Sequence, residues 1–379
     1  MQFGVFDHVE HLPGVPLARL YEQRLEQLEV LDQAGFHCYF VAEHHTPAIH
    51  AMAPSQNVFL AAASQRTKNL HMGPGVYVLP LYHPLRLIEE ISMLDNLLNG
   101  RLELGVGRGG VLEAFFWGQG YDEDENRERF EETLAVVQQG LSHDLLTYEG
   151  RFHSFDEVPM RLRPFQEPYP PFWYMRNPTT AASRGMNALF TGTLDQVEAN
   201  IMRYRKVWTD RWGEDGLTPQ GRQPRVGASI WLVMAESDEA ARRIGEPAYE
   251  AFSWNLGTPR RLEAERRQMG HLFSAPSGHA RLAELAEGHI PYEEMQVIEA
   301  RLSGLSDAQR EERARRRQHS GVNPIFASPE TMHTYLDEYV TTGANYLTIG
   351  FQFGSLSHEQ AMRSLELFIT EVMPHYKQP

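Results

Sequence analysis

The sequence predicts a (β/α)8 barrel, a TIM barrel with long insertions, and three observations carry that prediction. Strand-like and helix-like segments alternate along the first half of the chain, which implies parallel strands joined by helical crossovers. About eight such units can be counted, the number that closes a barrel. The chain has 379 residues, more than the roughly 250 of a typical barrel. We therefore expect one domain, residues 1–379, with insertions at about 142–171 and 252–322; a doubly wound open sheet is the alternative.

The first two units follow from apolar spacing. Gln2–Phe6 is a strand candidate, and Leu17–Ala34 carries apolar residues at helical intervals until Gly35 ends the helix. Phe36–Ala42 is rich in aromatic and β-branched residues and predicts the second strand. Pro54–Gln65 predicts the helix that returns from it.

The next two units repeat the pattern. Leu70–Leu79 predicts a strand that contains the unusual sequence Gly73-Pro74-Gly75. His83-Pro84 opens the following helix, because proline suits the first helical position. Arg101–Gly107 predicts the fourth strand, and Arg127–Gly140 predicts the helix after it.

The second half alternates less regularly. A final helix is predicted at Ser357–Met373. The charged run Arg310–Arg317 mixes acids with bases and predicts a solvated helix face. The strands expected in this half are Pro171–Met175, Asn187–Phe190, Arg225–Ala235 and Asn345–Phe351.

Composition narrows the class of partner. Fifty acidic residues against 35 basic ones give a formal charge of −15, which disfavours nucleic acids and anionic membranes. The single cysteine, Cys38, excludes an intramolecular disulfide and fits a reducing compartment. No segment has the pattern of a signal peptide or the roughly 20 apolar residues that span a bilayer. We therefore expect a cytoplasmic protein with neither membrane nor nucleic-acid partners.

Donor groups follow several strands, where a barrel places its functional side chains. The glycines of Gly105–Gly110 allow close backbone approach, and Arg108 among them offers a planar set of donors to a phosphate. Arg127 begins the next predicted helix, whose free N–H groups attract anions. Arg176 and Thr179 add donors after the fifth strand. Each group alone is compatible with a tight turn or a surface arginine; together they favour a phosphate site.

A histidine pair ends the second strand. His44 and His45 are adjacent, so in an extended segment they point to opposite sides and one faces the central cavity. A histidine there suits acid/base or hydrogen-bond work, because its pKa lies near neutrality. A histidine tied to neighbouring backbone is the structural alternative. No metal site is expected, since the ligands of Glu43-His44-His45 diverge and no HExxH or CxxC element is present.

Aromatic residues crowd the same predicted face and either line an apolar pocket for a planar ligand or pack in the core. A GxSxG nucleophile elbow is missing from the sequence, and so is a GxGxxG element after the first strand. These absences argue against a serine hydrolase and a Rossmann dinucleotide site. The aromatic residues are Phe115, Phe116, Trp117, Trp173 and Tyr174.

The chain resembles the bacterial luciferase-like family of flavin-dependent monooxygenases. The resemblance covers roughly the first 140 and the last 55 residues well, and the middle more loosely. Its most specific block runs from EHH through NGRLELGVGRG, where order, spacing and residue types agree. The other matching segments are MQFGVF, GFHCYFVAEHHTP, ASPETMHTYLDEYVTTGANYLTIGF and EVMPHY.

The resemblance implies a barrel that binds reduced FMN (FMNH2), which a separate flavin reductase supplies. In this family, O2 adds at the flavin C4a carbon and gives a peroxide that oxidises a small organic substrate. By position, His44 matches the active-site histidine, and Arg108 and Arg127 match basic residues near the phosphate. Gly75 and Val76 fall where the family often has a non-prolyl cis peptide beneath the flavin ring.

Further site residues complete the prediction. Arg176 stands where the family commonly has small or hydroxylic residues, and it either adds a phosphate contact or points elsewhere; with Thr179 it is assigned to the phosphate set. Gly107 stands where the luciferase catalytic subunit has a cysteine, which argues against light emission as the biological role. Residues expected to line the substrate pocket are Phe6, His8, Trp117 and Trp173.

Two other functions stay open. An oxidoreductase that transfers hydride through the deazaflavin F420 would use the same barrel without oxygen. A non-catalytic flavin-binding protein is the second alternative. Family members often form homodimers, and four apolar residues of one helix either serve that interface or pack on the barrel: Leu87, Ile91, Leu94 and Leu98.

Overall fold

The structure, a computed structural model, describes residues 1–45, 51–269 and 324–377. Its strands, in chain order, are β1 (Gln2–Asp7), β2 (Cys38–Val41), β3 (His71–Pro74), β4 (Tyr77–Val78), β5 (Leu104–Gly107), β6 (Leu145–Glu149), β7 (Ser154–Pro159), β8 (Phe172–Tyr174), β9 (Asn187–Phe190), β10 (Val226–Met234), β11 (Pro324–Ala327) and β12 (Tyr346–Gly350).

Helices alternate with these strands along the described parts of the chain. They are α1 (Leu17–Ala34), α2 (Gln56–Ser64), α3 (Pro84–Leu97), α4 (Val111–Phe116), α5 (Glu123–Ser142), α6 (Pro178–Ser183), α7 (Leu194–Trp212), α8 (Asp238–Met269), α9 (Pro329–Thr341), α10 (His358–Leu367) and α11 (Met373–Tyr376), with a π-helical turn at Phe368–Val372 between the last two. Among the described helices, none is long and apolar enough to cross a membrane.

The strands close into a parallel barrel. Neighbours follow the order β3-β2-β1-β12-β10-β9-β8-β5-β4, and every pair in this series is parallel. Since β3 and β4 are two halves of one interrupted strand, the series returns to its starting point. A parallel bridge between Met72 and Leu102 joins β3 to the chain entering β5. The (β/α)8 prediction is therefore confirmed.

Several predicted boundaries are corrected. The third strand is split in two, because the peptide between Gly75 and Val76 is cis and interrupts the ladder. Helix α5 begins at Glu123, four residues before Arg127, because the Asp122 side chain accepts hydrogen bonds from the N–H groups of the first turn. A short helix, α4, forms between β5 and α5, where sequence analysis placed no element.

The two predicted insertions differ in outcome. In the first, at about 142–171, residues Leu145–Glu149 and Ser154–Pro159 pair as an antiparallel hairpin where an ordered loop was predicted. Much of the second, residues 270–323, lies outside the described residues, and so does the charged run Arg310–Arg317. Helix α8 leads into it, and β11 after it pairs with the outer half of β10. That strand was not predicted.

Large side chains fill the barrel interior. Phe40, Trp173 and Tyr346 form a fully buried group with Cys38 and Leu189. The four apolar residues of α3 considered for a dimer interface pack against the barrel, all at most 2% exposed: Leu87, Ile91, Leu94 and Leu98. Helical spacing identified this face of α3 but could not say what covers it.

Candidate active site

Asp7 organises the carboxyl end of the first strand. Its carboxylate accepts hydrogen bonds from the Tyr39 hydroxyl (2.7 Å), from Arg24 Nε (2.8 Å) and from the N–H of Val9 (2.7 Å), all buried. Val9 has a φ of +52°, a left-handed conformation that is rare for a β-branched residue. These contacts fix the chain on both sides of His8, so its ring is held in place by strand β1.

His8 and His44 come together from neighbouring strands. Their rings stack at 5.2 Å between centroids with an interplanar angle of 13°. His8 is buried and His44 is half-buried. The structure therefore brings together two of the residues that sequence analysis singled out, at the carboxyl ends of β1 and β2.

His45 turns the other way, as alternation along an extended segment predicts. Its Nε2 lies 2.7 Å from the buried carboxylate of Glu43 and its ring packs against Trp117 at 4.6 Å. Glu43 also accepts hydrogen bonds from the Val78 N–H (3.1 Å) and the Tyr82 hydroxyl (2.8 Å). Burial raises the pKa of Glu43, while the hydrogen bond from His45 acts in the opposite direction. Glu43 is thus a structural anchor between the second and third strands.

Aromatic rings surround His8, one member of the histidine pair. The ring of His8 lies 5.1 Å from Phe6, 5.5 Å from Trp231 and 5.3 Å from Phe252. Trp231 in turn contacts Phe252 at 4.4 Å and Phe353 at 5.4 Å. Phe6 and His8 were predicted from the sequence. The aromatic wall, as we use the term, consists of Phe6, His8, Trp231, Phe252 and Phe353.

Three members of this wall were missed. Trp231 lies in a predicted strand, but alternation alone did not show which of its residues face inward. Its ring fits because Gly350 has no side chain; a Cβ there would lie 1.9 Å from Trp231 Cε3. Phe252 sits on α8, in the region treated as an insertion, and no sequence signal marked it. Phe353 follows the last strand and lies two residues beyond its predicted end at Phe351.

Glycines let the interrupted third strand pack closely against its neighbours. The bond Gly75-Val76 is cis, as the resemblance implied. A Cβ on Gly75 would lie 2.9 Å from Phe6 Cε2 and 3.0 Å from Phe40 Cβ. One on Gly107 would lie 2.5 Å from the Val76 side chain. Glycines at these positions therefore allow close packing of Phe6, Phe40 and Val76 around the cis bond.

The Gln56 side chain supports the backbone at the cis bond. Its side-chain amide donates to the carbonyl of Val76 (3.0 Å) and, more weakly, to that of Val41 (3.4 Å). The Val41 carbonyl also accepts from the N–H of Gly75 (2.7 Å). Strand pairing and one buried amide thus orient Val76, a contact that sequence analysis did not foresee.

Arg108 follows β5 and is half-buried. Within the described part of the chain, no hydrogen bond or ion pair engages its guanidinium; its carbonyl accepts from the Asn126 amide at 3.3 Å. Gly109 has a φ of +64°, and Gly110 has open space where a side chain would stand. Arg108 thus remains a candidate donor beside an open backbone turn.

The other predicted phosphate residues are placed less favourably. Arg127 is exposed, stands one turn inside α5, and pairs with Asp124 at 2.9 Å. The first turn of α5 is acidic and its N–H groups are capped by Asp122, so this helix start does not offer the free donors that were expected. Arg176 and Thr179 are exposed around the start of α6, where Asn177 caps the helix by accepting from Thr180 N–H at 2.9 Å.

The two predicted pocket tryptophans separate. Trp173 is fully buried inside the barrel, and its Nε1 donates to Glu103 at 2.6 Å, at the opposite end of the strands from His44. Trp117 is half-exposed and contacts His45. It borders a cavity of about 360 Å³ beside the barrel mouth, lined also by Pro80, Leu81, Tyr82, His83, Gln119, Arg129, Thr133 and His153.

The residues present fit a flavin mononucleotide. Trp231 Nε1 is a buried donor without a hydrogen-bond partner among the described residues, available to a polar atom of a ligand. No described residue engages the guanidinium of Arg108, so it is available to an anionic tail. Apolar lining with a few polar groups is typical of cofactor sites.

The comparisons with known proteins decide the family. The family model described as luciferase-like monooxygenase matches residues 1–345. The chain belongs to the luciferase-like monooxygenase family. An uncharacterised Sinorhizobium fredii protein is 36% identical over 263 residues, covering 68% of this chain and 74% of that protein. A Pseudomonas putida 2,5-diketocamphane 1,2-monooxygenase is 33% identical, covering 67% and 73%.

A further relative is the oxygenase component of a flavin-dependent trigonelline monooxygenase from Acinetobacter baylyi, 29% identical over 50% of this chain and 54% of that protein. The chain thus spans only about half the length of that relative. The family and these names confirm the enzyme class expected from the sequence, a flavin-dependent monooxygenase.

Solved structures show the same fold. A monooxygenase from Streptomyces bottropensis superposes with a TM-score of 0.71 at 24% identity over the full length of both chains. The oxygenating constituent of 3,6-diketocamphane monooxygenase from Pseudomonas putida, solved with FMN, gives 0.68 at 19%, covering 100% and 99%. An F420-dependent tetrahydromethanopterin reductase from Methanopyrus kandleri gives 0.62 at 17%, covering 99% of each chain. The fold is therefore shared by flavin and F420 enzymes.

Proposed function

We propose that the protein is the oxygenase component of a two-component system, using O2 and reduced FMN from a partner flavin reductase to oxidise a small apolar organic molecule. The name of the trigonelline relative, an oxygenase component, supports the reductase. The FMN complex of the diketocamphane enzyme supports the cofactor. The proposal includes a cytoplasmic location, which is supported by the single cysteine, since this fits a reducing compartment.

One observation carries the proposal: the stacked His8–His44 pair lies beside aromatic rings, and one of these, Phe6, packs against the cis bond Gly75-Val76. The wall excludes water and favours an apolar substrate. The half-buried His44 is the group that can hold or move a proton near the reacting atoms. Reduced FMN, when bound, supplies the electrons for oxygen activation.

The phosphate end of the site is proposed from residues that follow two strands. Arg108 would hold the phosphate through charge-assisted hydrogen bonds, which are stronger than neutral ones. Arg176 and Thr179 would reach it from the neighbouring strand position, since both lie at the start of α6. Arg127 is the weakest member of the set because Asp124 already neutralises it.

His44→Ala tests the catalytic assignment. General acid/base groups contribute about 10²- to 10⁴-fold, so turnover should fall by that factor while the FMN dissociation constant changes less than about threefold. His83→Ala, which alters a histidine of the lateral cavity, is the matched control and should keep its turnover. Unchanged turnover in His44→Ala would remove this residue from the mechanism.

The cofactor and the reaction are tested together. The protein should retain FMN rather than F420 in equilibrium dialysis. With a flavin reductase, NADH and 18O2, one labelled oxygen atom should appear in the product of a terpenoid ketone or related apolar substrate. Binding of F420 with unlabelled product supports the hydride-transfer alternative. Flavin binding with only background oxygen consumption across many substrates supports the non-catalytic one.

We include a homodimer in the proposal. Helices α2 and α3 pack side by side and leave three apolar side chains exposed, Val58 at 72%, Met93 at 59% and Leu97 at 43%. Exposed large apolar residues grouped on adjacent helices are typical of an interface. These residues replace the buried face of α3 as the candidates for the contact.

A further inference from the structure

A second cluster of polar side chains lies at the end of the barrel away from His44. His37 immediately precedes β2, His71 begins β3, and Glu103 immediately precedes β5. Three adjacent strand positions therefore deliver these side chains to the amino-terminal end of the barrel. We call His37, His71 and Glu103 the basal cluster.

The nitrogen and oxygen atoms of the basal cluster converge. Glu103 Oε1 lies 3.2 Å from His71 Nδ1 and 3.6 Å from His37 Nε2. All three atoms lie within 4.8 Å of one another. The two imidazole rings are stacked at 4.8 Å with an interplanar angle of 21°, so both present a nitrogen to the same carboxylate oxygen.

These three atoms are buried and lack well-formed hydrogen bonds to the described residues. Buried polar atoms are normally satisfied, so three unsatisfied atoms facing one point require an explanation. Glu103 is fully buried, and burying a carboxylate is costly unless it is paired and hydrogen-bonded; the nearest groups to its Oε1 are His71 at 3.2 Å, His37 at 3.6 Å and Arg225 at 3.9 Å. A bound cation would satisfy all three at once.

The atoms on the far side of the cluster are already engaged. Glu103 Oε2 accepts from Trp173 Nε1 at 2.6 Å, and His37 Nδ1 lies 3.0 Å from the Tyr346 hydroxyl. Such outer contacts fix the ring orientation and tautomer of metal-binding histidines and hold metal-binding carboxylates. They leave Nε2 of His37 and Oε1 of Glu103 directed at the shared point.

We propose that His37, His71 and Glu103 bind a zinc ion at the amino-terminal end of the barrel. Two imidazoles and one carboxylate are a known zinc ligand set, with metal–ligand distances of about 2.0–2.2 Å. Tetrahedral ligands at that distance stand about 3.4 Å apart, which falls between the two measured separations to Glu103 Oε1. His71 retains 21% side-chain exposure, so the ion and a fourth water ligand have a path to solvent.

Two arginines oppose the cation. Arg225 Nη1 lies 3.9 Å from Glu103 Oε1, beyond hydrogen-bond distance, while its Nε donates to Gln2 at 2.6 Å. Arg222 also acts on His37 electrostatically. This positive charge lowers the expected affinity without occupying the ligand atoms. Replacing Arg225 by a neutral residue should therefore tighten zinc binding.

A zinc ion here would join three strands far along the chain from one another. The ligands are separated by 34 and 32 residues, so the ion would close two long loops of the unfolded chain. In this fold the amino-terminal end serves stability, whereas chemistry occurs at the other end. We therefore expect zinc to raise the unfolding temperature and to leave FMN affinity unchanged.

The test uses full-length protein stripped with EDTA and then titrated with Co²⁺ and Zn²⁺. Wild-type protein should develop the visible absorption of a four-coordinate Co²⁺ site, and Zn²⁺ should abolish it at one equivalent. His71→Ala should weaken Zn²⁺ binding at least about 100-fold, the upper range for even an outer contact. Arg225→Gln should strengthen it, a gain that a damaged fold would not produce.

His375→Ala is the matched control. His375 and His333 form another pair of neighbouring imidazoles, 4.7 Å apart, at the carboxyl-terminal helices. This variant should bind Zn²⁺ as wild type does. The proposal is overturned if wild type shows no Zn²⁺ binding below about 1 mM. It is equally overturned if a folded His71→Ala protein keeps its affinity or if His375→Ala loses it.

Discussion

Replacing Arg108 by methionine separates phosphate binding from binding of the flavin ring. The guanidinium of Arg108 is half-buried and no described residue engages it, so its loss breaks no internal contact of the folded chain. Methionine keeps an unbranched apolar stem of similar reach. We therefore expect an unchanged free energy of unfolding together with a weaker grip on the FMN phosphate.

The magnitude follows from the strength of hydrogen bonds to charged groups. One such bond contributes about 1.5–3 kcal/mol, and each 1.4 kcal/mol is tenfold in a dissociation constant. Arg108→Met should thus weaken FMN binding by roughly 10- to 150-fold. Riboflavin has the same ring without the phosphate, so its affinity should change less than about twofold.

Isothermal titration with FMN and with riboflavin measures both constants. Arg86→Met is the control, because Arg86 is exposed on α3 and already paired with Glu90. It should alter FMN binding less than about threefold, within the small range of surface ion pairs. Equal losses for FMN and riboflavin in Arg108→Met, or no loss for either, would refute the placement of phosphate beside Arg108.

Three further outcomes are expected. Arg24→Met leaves the buried Asp7 carboxylate without its ion partner. Urea titration should show that the free energy of unfolding falls by about 3–5 kcal/mol, and a fall below about 1 kcal/mol would contradict a stabilising buried pair. Burial raises the pKa of Glu10 from its usual value of 4.5 to about 7. The folded protein therefore binds the carboxyl proton of Glu10 more tightly than the unfolded chain does. The stability that this protonation contributes is lost as pH rises from about 4.5 to about 7. Glu10→Gln should reduce that pH dependence by up to about 3 kcal/mol in urea titrations at pH 4.5 and 7.5; an unchanged slope would assign it to other groups. Met93→Glu should convert a dimer to monomers in sedimentation velocity at micromolar concentration. Met202→Glu, which places the same charge at another exposed methionine, should leave the dimer intact. Equal behaviour of the two variants would place the interface elsewhere.

Much of the barrel could be predicted because its strands and helices have clear local sequence signals. The bounds of α1 at Leu17–Ala34 and β9 at Asn187–Phe190 follow directly from spacing and punctuation. The split between β3 and β4 was missed although Gly73-Pro74-Gly75 stands at the break, because the whole of Leu70–Leu79 was predicted as one strand. β11 was missed because Pro324–Ala327 directly follows the segment predicted as an insertion and pairs with β10 beyond the barrel wall.

The site was predictable where residues lie at the ends of clear strands, as His8 and His44 do. The surroundings of a site residue could not be predicted where they depend on residues that are distant in the sequence. Asp122 and its acidic neighbours changed the setting of Arg127, which a single basic letter cannot show. Trp173 was placed in the pocket by its neighbours in sequence, yet its indole points to Glu103, a partner 70 residues away.

The aromatic wall takes Phe252 from helix α8, whereas Arg108 and Gly75 belong to segments that follow or interrupt barrel strands. Under the proposed function, a substitution of Phe252 would change the surroundings of the substrate without touching the residues proposed to hold FMN. Phe252 is therefore the position at which we would first introduce diversity when seeking other specificities.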